Sequence, residues 1–162
     1  MAKLTESVFV KCPYHRARIY LAENVATFAR THSKLTLHVP VKGVKGSFDL
    51  KKDVVVAFTP GTDPMHMDRP WQIHWTPESG PFPSFEGELT VRADEDYSSC
   101  ILELVGDYTP PGGPIGIAFD SIIGWEIASL TGRMLLKQFG DEFEQRYNEE
   151  EAQKRIIWRL RS

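Results

Sequence analysis

At 162 residues, with 41% hydrophobic and 25% charged side chains, the chain matches an average globular domain and is long enough to bury one core. Its formal charge of -3 excludes the basic field that binds nucleic acid through counterion release. No apolar run approaches the roughly 20 residues of a membrane span, and the start MAKLTESVFV lacks the long apolar core of a signal peptide. The expectation is one cytoplasmic domain over residues 1–162, with no nucleic-acid partner.

Ser7 to Lys11 alternate as a first strand, with Val8 and Val10 on one face, Phe9 on the other and Pro13 as a stop. Tyr14 to Arg30 carries Ile19, Val25, Phe28 and Ala29 at helical spacing, and Asn24 as an N-cap predicts a division into two short helices. From Leu35 the period becomes two, with Leu37 and Val39 following on the same face. Gly46 to Leu50, Val54 to Thr59, Pro70 to Thr76, Phe85 to Ala93 and Ser99 to Tyr108 continue as strands, seven with those before them. The stretches TPGTDPMHMD and TPESGPFPS, rich in Pro and Gly, read as loops.

After TPPGGP, Ile115 to about Glu151 contains no proline and reads as one long helix. The tail from 152 to 162 could lengthen that helix, cover a sheet edge or mediate dimerisation. Strand, helices, a block of strands and a terminal helix give an α+β fold with an antiparallel sheet, because parallel sheets need alternating βαβ units.

The segments WTPESGPFPSFEGEL, LVGDYTPPGGPIGIAFD and GWEIASLTGRMLL lie between Trp75 and Leu136. With this element order, they resemble the START-like superfamily, also called the polyketide cyclase or SRPBCC superfamily. The resemblance implies a helix-grip: a curved seven-stranded antiparallel sheet, two short helices and one long C-terminal helix enclosing a cavity.

Alternation places Trp71, Ile73 and Trp75 on one strand face, Phe85, Gly87, Leu89 and Val91 on another, and Cys100, Leu102, Leu104, Gly106 and Tyr108 on a third. Gly87 and Gly106, inside strands, predict a strong bend. Trp71, Trp75, Phe85, Leu89, Leu104 and Tyr108 then either line a pocket or fill an ordinary core. On the terminal helix Ile115, Phe119, Ile122, Ile123 and Leu130 form an apolar stripe that also holds Glu126 and Arg133. Charges on such a stripe must be paired, hydrated in a cavity or turned to a rim. A rival arc of Trp125, Leu136, Phe139 and Phe143 could pack on the sheet or on a second subunit, so a homodimer is an option.

The expected ligand-binding set is Trp71, Trp75, Phe85, Leu89, Leu104, Tyr108, Phe119, Ile123, Glu126, Leu130 and Arg133. An apolar aromatic cavity suits a hydrophobic small molecule that is lipid-like, polyketide-like or isoprenoid-like. The resemblance also implies an alternative, a cyclase/aromatase or dehydratase in which Glu126 and Arg133 would act as acid/base and oxyanion-binding groups. A third reading is a protein-interaction module with a filled core. His66, His74 and Asp68 lack metal-ligand spacing, so no metal or other cofactor is expected. Asp107 and Asp120 flank a turn, and the latter suits a helix start. Pro110 to Gly116 lacks the Lys and Ser/Thr of a phosphate loop. Cys12 and Cys100 lack CxxC spacing and are expected as buried free thiols.

Overall fold

A computed structural model describes residues 2–31, 34–43, 46–59, 70–79, 82–109 and 121–161, with side chains over 3–26, 36, 53–58, 70–79, 82–109 and 124–161. Strand β1 (Ala2–Val10) leads into helix α1 (Tyr14–Thr31), followed by β2 (Lys34–Gly43), β3 (Gly46–Thr59), β4 (Trp71–Pro77), β5 (Ser84–Ala93) and β6 (Cys100–Thr109). Helix α2 (Ser121–Arg161) ends the order. The strands form one six-stranded sheet in the order β1-β6-β5-β4-β3-β2, with every pairing antiparallel. The α+β class, the antiparallel sheet and the long C-terminal helix therefore stand as expected.

Two counts differ. The seven expected strands become six because Gly46–Leu50 and Val54–Thr59 are parts of the single strand β3. That strand changes partner at Val54 and Val55, pairing with β2 before them and with β4 after them. Nothing stops the strand between Leu50 and Val54, because the ladder with β2 runs unbroken from Gly46 to Val55. There Asp53 Oδ1 accepts a hydrogen bond from Thr36 Oγ1 across the β2–β3 ladder, at 2.6 Å.

The two expected short helices are one. Its buried stripe is Ala17, Tyr20, Leu21 and Val25, spaced at i, i+3, i+4 and i+8, while Ile19 points to solvent. With that stripe unbroken and no Gly or Pro inside it, Asn24 is carried through the helix and starts nothing. Pro13 supplies the first acceptor, its carbonyl receiving the Arg16 and Ala17 N–H groups at 3.0 and 2.9 Å.

The tail beyond Glu151 continues α2 to Arg161, so of the open alternatives it lengthens the helix. Ile115 and Phe119, expected within the same helix, lie outside the described residues. The face that meets the sheet carries Leu135, Leu136, Phe139 and Phe143, so most of the rival arc packs inside, while Trp125 is exposed. Gly132 and Gly140 set that orientation. A β-carbon would stand 3.1 Å from Leu104 Cδ2 at the first and 3.0 Å from Val10 Cγ2 at the second, so their absence brings α2 close to β1 and β6. Helix α1 is tied to α2 by the Tyr20 hydroxyl, which donates to Glu150 Oε2 at 2.6 Å, and by Arg146, which pairs with Glu23 and stacks over the Tyr20 ring at 4.4 Å. Burial first, then that hydrogen bond, raises the Tyr20 pKa.

Candidate functional site

The ladder registers bring the expected lining residues of the sheet onto one face. Glu6, Leu104, Leu89 and Trp71 stand opposite one another across β1, β6, β5 and β4. Two rows away, Tyr108, Phe85, Trp75 and Val56 do the same across β6, β5, β4 and β3. Between these rows run Leu4, Gly106, Gly87, Ile73 and Phe58. Apart from Trp71 and the two glycines, the apolar members of all three rows are buried in one continuous cluster, and Trp71 packs half-buried against it.

The Phe85 ring takes up the room that two glycines leave. Its Cζ lies 2.6 Å from where a β-carbon would stand on Gly87, and equally on Gly106. It stacks on Trp75 at 4.3 Å between centroids and 17° between planes, and Trp75 Nε1 donates to the Pro83 carbonyl at 3.2 Å. The aromatic pair is thus held in a fixed orientation by packing on one side and a hydrogen bond on the other.

The helix charges fall differently from the expected stripe. Arg133 stands outward with 59% of its side chain exposed, and its Nε reaches Glu6 Oε2 at 3.1 Å. Glu126 is half-buried, and no ion pair joins it to Arg133 among the described residues. The stripe is displaced because the close approach at Gly132 and Gly140 rotates Arg133 to the rim of the β1–α2 seam. Leu130 is partly buried against the core. Phe119 lies outside the described residues, and so does the side chain of Ile123.

Glu6 was not among the expected residues. Its side chain is 10% exposed, on the inward face of β1, and its two oxygens divide their partners: Oε1 accepts from the buried Ser129 hydroxyl and Oε2 from Arg133. Burying a carboxyl group is costly unless such donors replace the water it loses. The signal was present in Leu4-Thr5-Glu6-Ser7-Val8, where one acid interrupts the inward positions of an alternating strand. A strand that begins at Ser7 leaves Glu6 out, whereas β1 begins at Ala2.

Glu6→Ala is expected to cost about 1–3 kcal/mol, since the buried Ser129 hydroxyl loses its acceptor. Arg133→Ala, removing a half-exposed partner, is expected to cost less than about 1 kcal/mol. Urea unfolding of both variants measures the difference, and equal losses would rule out the buried hydroxyl as the source of the larger one.

The two cysteines are free and buried. Burial first, then the nearby Glu144 and Glu150 carboxylates, pushes the Cys12 thiol up to about 11. Burial, then Cys12 and Glu144, pushes Cys100 up to about 12. Both are thiols near neutral pH and so poor nucleophiles. Among the described residues no group of three or more His, Cys, Asp or Glu is placed to hold a metal, and His74 is exposed on the outer face. No helix among them is long and apolar enough to cross a membrane. A hollow of about 440 Å³ opens at the surface where Asp94–Ser99, the β5–β6 turn, meets Phe9 and Lys11. It is polar and lies away from the apolar face.

No family model matches the sequence, and no curated protein matches it. Solved structures do resemble the fold. An uncharacterised protein from Bacillus thuringiensis is 13% identical, with a TM-score of 0.50 over 88% of this chain and 98% of its own. A protein from Thermus thermophilus, 12% identical, has a TM-score of 0.49 over 88% of this chain and 97% of its own. The Bacillus cereus protein XoxI is 14% identical, with a TM-score of 0.47 over 88% of this chain and 96% of its own. At such identities the first likeness is one of fold alone.

Proposed function

We propose that the chain is a START-like helix-grip protein that binds a hydrophobic small molecule, lipid-like, polyketide-like or isoprenoid-like, between its sheet and α2. The observation that carries the reading is where α2 packs. It lies against β1 and β6 at one edge of the sheet and against β2 at the other. Six strands laid flat would span about 24 Å from edge to edge at their usual spacing, whereas a helix with its side chains is about 10 Å across. Contact of one helix with both edges fits a sheet that curls around it. On this reading the inward faces of β4 and β5, which carry Trp71, Trp75, Phe85 and Leu89, would supply an apolar and aromatic lining for a hydrophobic ligand.

Native mass spectrometry of protein purified without organic solvent is expected to show a retained small molecule. A fluorescent fatty-acid analogue should displace it, and Leu89→Trp, which adds bulk at the centre of the lining, should weaken the analogue by about tenfold or more while the circular dichroism spectrum holds. Absence of both a retained mass and analogue binding in the wild type would end the binding reading.

The buried Glu6 carboxylate on the same face favours a second reading, a cyclase- or dehydratase-type enzyme in which that group moves a proton. Its signature is a ligand recovered chemically changed from the wild type and unchanged from Glu6→Gln.

A further inference from the structure

The last turns of α2 leave the body of the protein. Every side chain from Ala152 to Arg161 is exposed, and four of them are large and apolar: Ile156 at 58%, Ile157 at 50%, Trp158 at 78% and Leu160 at 81%. The same stretch holds Lys154, Arg155, Arg159 and Arg161 and no acidic residue, in a chain whose net charge is -3. Isolated exposed apolar residues need no explanation, but of these four, three share one face of the helix and form a patch that water disfavours.

We propose that residues 152–161 dock the protein in the plane of an anionic lipid surface. At about 100° per residue, Ile156, Leu160 and Ile157 fall within an arc of about 100°. Arg159 and Arg161 lie on the two flanks of that arc, where their aliphatic stems can follow the apolar residues down while the guanidinium groups stay among phosphates. Trp158 and Arg155 face the opposite side, so the inserting residues are Ile156, Ile157 and Leu160. Lys154 keeps Glu151 as a neighbour at 3.1 Å. A second copy would bring the same cations against their equals, whereas lipid phosphates supply the opposite charge at high density. The inference is independent of the enclosed ligand, since none of these side chains reaches the sheet face.

The test is cosedimentation of the full chain with phosphatidylcholine vesicles, with and without roughly 30% phosphatidylserine. Binding is expected only to the anionic vesicles, and it should weaken about tenfold or more when salt is raised from about 0.1 to 0.5 M. The Ile156→Glu, Leu160→Glu double variant should lose the binding with its circular dichroism spectrum intact, because both side chains lie outside the core. Trp158→Ala should retain it. Equal binding to both vesicles, or full binding by the double variant, would overturn the proposal. So would wild-type protein that ignores vesicles and elutes as a dimer, with the double variant a monomer, since the partner would then be a second copy.

Discussion

Gly87→Ala is expected to lower the unfolding free energy by about 4 kcal/mol or more, a loss at the extreme of single substitutions. Gly87 and Gly106 face each other in the β5–β6 ladder. A β-carbon on Gly87 would collide with the Val105 carbonyl oxygen and come within 2.7 Å of Gly106 Cα. Neither neighbour is a side chain that can swing away, so the two strands would have to separate. The same atom would displace the Phe85 ring from the room it occupies, and with it the stack on Trp75. For a domain of this size the melting temperature should fall by about 10 °C or more. Glu88→Ala, one residue along on the outer face, removes only an exposed hydrogen bond to Gln72 and should stay within about 0.5 kcal/mol. Thermal and urea unfolding of the pair measure both, and a loss under about 1 kcal/mol for Gly87→Ala would mean that the strands do not meet as closely as described.

Trp75→Ala is expected to cost about 3–5 kcal/mol by emptying the space of a large buried side chain. Trp75→Phe keeps an aromatic face for Phe85 but leaves the Pro83 carbonyl without its donor, and should cost about 1–2 kcal/mol. The ordering separates packing from hydrogen bonding. Equal losses would assign the whole effect to the indole N–H. Urea unfolding of the three proteins at one pH measures it.

Both residues show what a sequence carries and what it omits. The strand positions of Trp75, Phe85, Gly87, Leu104 and Gly106 followed from alternation, because side chains of a strand change face at every residue. Their neighbours across the ladder did not follow, since register depends on where strands that are far apart in the chain meet. The Gly87–Gly106 pair, with a phenyl ring lying over both, exists only once β5 and β6 are aligned.

Glu6 and Arg133 make the same point for the candidate site. Periodicity puts Arg133 on an inward stripe because a 3.6-residue period defines faces relative to one another and leaves the rotation of the whole helix open. Contacts of Gly132 with Leu104, Leu4 and Glu6, and of Gly140 with Val10, choose that rotation. They send Arg133 to the rim and bring Ser129 over Glu6, 123 residues away in the chain. The split of β3 and the division of α1 failed for a different reason. Both rest on local signals of turn or cap, and these give way where a continuous ladder or an unbroken buried stripe holds the backbone.

By itself the sequence determined the class of the fold, the order of its elements, the inward parity of its central strands and the apolar, cationic character of residues 152–161. These are local quantities, set by periodicity, turn chemistry and charge along a few consecutive residues. Only the tertiary structure decided the six-strand order, the merging of the split elements, the rotation of α2 and the seating of Glu6 beneath Ser129 and Arg133. Each of those depends on which distant segments touch, and that is settled by packing and register, which no window of the chain contains.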